Sequence, residues 1–111
     1  MAGASIELRT VLVVAAAPAT CTELAQALRN GGYRVEIVAR LRESTLPALA
    51  VVDVSREDQW ATAEFLASGR LILIVDGPAA LRRGFDLGAE DCVIAGAHPD
   101  EIVARCDAVI R

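Results

Sequence analysis

The chain has 111 residues, 54% apolar and 23% charged, and its 11 basic against 15 acidic side chains leave a net charge of −4. All eleven basic residues are arginines, and the absence of lysine excludes Schiff-base chemistry and a lysine-bearing phosphate loop. The length suits one domain over 1–111, the mild acidity gives no footing for direct nucleic-acid binding, and three scattered cysteines without a C-x-x-C indicate neither a disulfide framework nor a zinc site.

Val11–Ala17 is the longest apolar run. It is far short of the roughly 20 residues that cross a bilayer and lacks the charged flank of a secretory signal, so no membrane role and a cytoplasmic location are expected. Pro18 and the capping-box pattern Thr20-Cys21-Thr22-Glu23 then open a helix with Leu24, Ala27 and Leu28 on one face, closed by Asn30-Gly31-Gly32. Tyr33–Val38 alternates apolar and charged residues, which suits a strand near a sheet edge. Arg40–Leu46 reads as a short, weak helix ended by Pro47. Ala48–Val52 and Leu71–Val75 are continuous runs rich in branched residues, the pattern of strands buried on both faces. Between them Ser55–Ser68 reads as a helix carrying Trp60, Ala63 and Ala67 inward and stopping at Gly69. Pro78–Leu87 is a helix capped by Gly88, Cys92–Ala95 a last strand, and Pro99–Ile110 a helix with Ile102, Val103, Cys106, Val109 and Ile110 at helical spacing.

Five βα units predict an α/β fold, a doubly wound parallel sheet with helices on both faces. Functional groups in such sheets collect at the carboxyl ends of the strands, here Ala15–Ala17, Asp53–Ser55, Asp76–Gly77 and Ala95–Ala97.

Several segments, in order, carry a resemblance. Gly84-Phe85-Asp86-Leu87-Gly88-Ala89-Glu90-Asp91-Cys92-Val93 is similar to the G-[LF]-x-x-G-A-[DE]-D-[YF]-[LIV] segment of bacterial response-regulator receiver domains. Val11-Leu12-Val13-Val14 with Pro18 resembles that family's first strand, Leu49–Val54 its third strand with the phosphoacceptor at Asp53, and His98-Pro99-Asp100-Glu101-Ile102 the D-P-x-E-L start of its last helix. The resemblance covers essentially the whole chain. It implies a five-stranded parallel (βα)5 sheet of order 2-1-3-4-5 and a part in two-component signalling.

Measured against that family, the pocket is depleted. The two acidic Mg²⁺ ligands after the first strand are replaced by Ala15 and Ala16, and alanine offers no oxygen to a hard cation. The hydroxyl residue after the fourth strand is replaced by Asp76, and the Lys-Pro after the fifth by Ala95-Gly96. Glu57 stands where the family carries a proline. Acyl-phosphate transfer needs its charge neutralised by metal and lysine, and Asp76 adds repulsion instead.

The plainer readings weigh on each residue. Asp53 reads first as an acceptor for amides at the turn after its strand, and Asp76-Gly77-Pro78 as an ordinary turn and helix entry. An acidic cluster of Asp53, Asp76 and Glu57 holding a cation is the sharper alternative, with a spacing that follows no ligand rule. His98 reads as a helix cap, and Cys92 and Cys106 as core residues. Trp60 reads as packed, and only secondarily as a partner anchor.

The sequence therefore predicts a phosphorylation-independent pseudo-receiver without catalytic residues, metal or cofactor. It would act as a docking or dimerisation module for a protein partner or a second copy. The resemblance puts the interaction face on the last two helices and last strand, with Arg82, Arg83, Asp86, Glu90, Asp91, Arg105 and Asp107 as its polar residues. The alternative is a receiver still phosphorylated on Asp53, or one sensing a small ligand in the altered pocket. The end directly after the last helix favours the N-terminal module of a larger regulator over a stand-alone domain.

Overall fold

The computed structural model describes residues 10–16, 21–39 and 47–110. Among the described residues are five strands and four helices: β1 (Thr10–Val14), α1 (Thr22–Asn30), β2 (Arg34–Val38), β3 (Leu49–Asp53), α2 (Gln59–Leu66), β4 (Leu71–Val75), α3 (Pro78–Leu87), β5 (Asp91–Ile94) and α4 (Pro99–Ile110). All strand pairs are parallel, and the order is β2-β1-β3-β4-β5. The order has the expected doubly wound form. The helix expected over 40–46 and the Thr20 of the capping box lie outside the described residues.

The two-residue side-chain period of a strand divides the apolar runs between two layers. Val11, Val13, Leu49, Val51, Ile72 and Val93 pack with Leu24, Leu28, Ile102 and Cys106 of α1 and α4. Leu12, Val14, Ala50, Val52, Leu71, Leu73 and Val75 pack on the other face with Trp60, Ala63 and Leu66 of α2. That is why β1, β3 and β4 show no polar alternation: neither face of these strands meets water. β2 has a neighbour on one side only, and its Arg34 and Glu36 are exposed while Val35 and Ile37 are partly buried.

One element is shorter than its sequence pattern. The helix expected from Ser55 begins at Gln59, because Asp53 Oδ1 accepts the Ser55 N–H at 2.9 Å and the chain turns before it coils. The first helical turn is then tight, with the Gln59 N–H donating to Arg56 O at 3.1 Å and the Trp60 N–H to Glu57 O at 3.2 Å. Elsewhere the punctuation behaves as the residue types dictate. Gly88, at φ 114°, closes α3, and Pro78 occupies its first turn. At the start of α4 the Asp100 N–H donates to His98 Nδ1 at 3.1 Å, so His98 caps that helix.

Candidate functional site

The carboxyl ends of the strands surround a hollow of about 540 Å³. Asp53, half-buried at the end of β3, lies on its wall with Ala95, Gly96 and His98 from the loop between β5 and α4. Cys21 and Glu23 at the start of α1 complete the polar lining, and Leu24, Ile74 and Ile102 form the apolar part. Sequence reasoning missed Glu23 and Cys21. Their signal was positional, since the first turn of a helix that follows a strand sits at the carboxyl edge of the sheet.

The remaining pocket positions are dispersed. Ala15 is buried in the sheet core and donates its N–H to Val38 O at 3.0 Å. Ala16 is exposed and lines a separate hollow of about 400 Å³ with Ala39, Arg56, Asp58, Gln59 and Thr62. Asp76 is exposed and lines neither. The cation-binding cluster of Asp53, Asp76 and Glu57 does not assemble. Glu57 is drawn to Arg83, Asp53 accepts the Ser55 amide, and among the described residues no group of three or more His, Cys, Asp or Glu side chains could hold a metal ion. Among the described residues, the wall of the hollow around Asp53 does not assemble the oxygen ligands that a hard divalent cation needs.

Glu57 and Arg83 make the best-formed exposed ion pair of the site region. Arg83 Nη1 and Nη2 donate to Glu57 Oε1 and Oε2 at 3.2 and 2.8 Å, and the same guanidinium lies 4.0 Å over the Trp60 ring. The Arg83 hydrogen bonds hold the Glu57 carboxyl below its usual range, and Glu57 raises the arginine in return.

The seven polar residues of the expected interaction face do not share one surface. A second hollow, of about 420 Å³, runs along β5 between α3 and α4, with Leu81, Cys92, Val93, Ile94, Ala97, Glu101 and Arg105 among its walls. Arg105 donates to Asp91 Oδ2 at 2.8 Å and lies 3.5 Å from Glu101, and Asp91 is the main cause of its raised pKa. Arg82 and Asp86 are strongly exposed on α3, 3.9 Å apart, and Glu90 is exposed just before β5. Arg83 turns away to the α2 side. Asp107 also turns away, accepting the Tyr33 hydroxyl at 2.5 Å. Residues two positions apart on a helix point about 200° apart, so Asp107 and Arg105 cannot face the same neighbour.

The sequence matches no protein-family model and no curated protein. Solved structures do match. The BeF3-activated receiver domain of DrrB, a response regulator of Thermotoga maritima, superposes with a TM-score of 0.79 at 18% identity over 91% of this chain and 96% of its own. The non-phosphorylated HemR receiver domain of Leptospira biflexa gives 0.75 at 23% identity, covering 91% and 93%. A CheY-like receiver domain protein of Methanospirillum hungatei gives 0.76 at 17%, covering 92% and 93%. The chain has the receiver fold, with the flavodoxin-like strand order.

Proposed function

We propose that this chain is a pseudo-receiver, a non-catalytic cytoplasmic module of two-component signalling that docks a protein partner or a second copy without needing phosphorylation. The observation that carries the reading is the lining of the Asp53 hollow. Among the described residues, a phosphoryl group arriving there would meet the side chains of Glu23, Cys21 and His98, with no arginine in the wall and alanine at the position of the clamping lysine. Charge that develops during phosphoryl transfer must be neutralised by fixed cations or metal, and among the described residues this wall holds neither arginine nor lysine and no set of metal ligands. The fold nevertheless keeps the apolar trough beside β5. Leu81 and Ile94 line it together with the oppositely charged Glu101 and Arg105, Phe85 is half-exposed one turn from Leu81, and Arg82 and Asp86 stand exposed on the same helix as Leu81. An apolar centre with a mixed polar rim is the anatomy of a docking surface.

Two measurements test this. Acetyl phosphate, or beryllofluoride with Mg²⁺, leaves the mass and the Trp60 fluorescence of the purified chain unchanged; an adduct that Asp53→Ala abolishes would overturn the claim of phosphorylation independence. Arg82→Glu and Arg105→Glu each weaken self-association in sedimentation equilibrium, or capture of a purified partner, by about tenfold. If neither does, the trough is not the interface.

A further inference from the structure

Residues 54–58 carry the chain from Asp53 to α2, and their two ends are pinned by bonds of ordinary kinds. The Val54 N–H donates to Ile74 O at 2.9 Å, and buried Gln59 donates its side-chain N–H to Ala39 O at 3.1 Å. Between these pins the segment is exposed. Ser55 is held by Asp53, and the carbonyls of Arg56 and Glu57 accept from the first turn of α2. Arg83, reaching over from α3, links the segment to that helix. One guanidinium makes both contacts there. Its donor edge forks onto the Glu57 carboxylate, and its face lies 4.0 Å from the centroid of Trp60, which is only 8% exposed. A lysine could not do both, because an ammonium is a point charge with neither a planar fork nor a flat face. Losing the fork frees the guanidinium to leave the ring, so the two contacts break together. Arg83 and Glu57 are 52% and 79% exposed, so water and salt compete with the pair and it opens readily.

We propose that the Glu57–Arg83–Trp60 clamp couples the loop after Asp53 to α3, so that the two segments loosen and tighten as one unit. The inference stands on contacts within the chain and holds whether or not the trough beside β5 takes a partner. It supplies a two-state element at the carboxyl edge of the sheet that responds to ionic strength or to a ligand that competes for Glu57 or Arg83. By linkage, whatever binds better to the open loop also loosens α3.

Hydrogen exchange on the full chain tests the coupling in both directions. Glu57→Gln, a change in the loop, is expected to speed exchange of the Ala80 amide in the first turn of α3. Arg83→Ala, a change in α3, is expected to speed the Gln59 and Trp60 amides. Each effect should be roughly two- to tenfold, the range of an exposed ion pair with a cation–π contact. Arg83→Lys should resemble Arg83→Ala, and added salt should reproduce the Glu57→Gln pattern in the unmodified chain but not in Arg83→Ala. The Ile102 amide of α4 is the control. If each variant loosens only its own element, the clamp does not couple them and the proposal fails. Equal acceleration at Ile102 would overturn it too, since the variants would then act through global stability.

Discussion

Burial pushes the thiol of Cys106 up to about 12 and that of Cys92 up to about 11, and the neighbouring Asp107 and Asp91 add to these shifts. Both groups hold their proton more tightly folded than unfolded, where the ordinary value is near 9.0. The stability they contribute is therefore complete below about pH 9 and is lost as pH rises through about 11 and about 12. Two outcomes are expected. Cys106→Ala flattens the alkaline limb of the stability curve in urea titrations at successive pH. At neutral pH, iodoacetamide labels Cys92 and Cys106 only as fast as the chain unfolds, read by peptide mass spectrometry; rapid labelling in the native state would contradict their burial. The same scale shows how the environment fixes a charge's role. Adjacent Arg82 and Arg83 point about 100° apart on α3, so one stays on the surface with Asp86 and the other joins Glu57.

α3 lies against the sheet at Gly84. A Cβ there would stand 2.6 Å from Cys92 Sγ and 3.1 Å from Leu73 Cδ1, whereas at Gly88 a Cβ finds room but the backbone is left-handed at φ 114°. The two glycines answer different demands. Gly84→Ala forces the helix off the strands at about 1–3 kcal/mol, against about 1 kcal/mol gained in helix propensity. Gly88→Ala costs about 1–2 kcal/mol through backbone strain alone. In urea denaturation, adding Cys92→Ala should relieve much of the Gly84→Ala loss and none of the Gly88→Ala loss; strict additivity of Gly84→Ala with Cys92→Ala would refute the close-approach account. Elements of this kind were legible in the sequence. Unalternated runs such as Leu71–Val75 mark strands covered on both faces, and Gly88 and His98 sit where caps belong. The site was legible only in part. Asp53 and Ala95 stand where strand ends must gather, but the choice of Glu57 over solvent by Arg83, and of Tyr33 over the docking face by Asp107, depends on partners 26 and 74 residues away. No local period encodes such distant pairings.

Both apolar layers of the molecule are built on the same five strands, which predicts that they unfold as one cooperative unit. Val13 and Val14 are neighbours in β1, yet one belongs to the layer under α1 and α4 and the other to the layer under α2. Loosening either layer disturbs the strand hydrogen bonds that hold the other. Leu28, fully buried in the first layer, and Leu66, 1% exposed in the second, are matched probes. Either change to alanine should cost about 2–5 kcal/mol in lost burial and cavity formation. Trp60 lies in the second layer and is the only tryptophan, so its fluorescence reports that layer alone, while far-UV circular dichroism reports the whole. If the sheet couples the layers, Leu28→Ala shifts the urea midpoint of Trp60 fluorescence as far as it shifts the dichroism midpoint, although Leu28 belongs to the opposite layer. A fluorescence midpoint that stays in place while the dichroism midpoint falls would mean that the layer under α1 and α4 opens by itself, with the α2 layer still closed on the sheet.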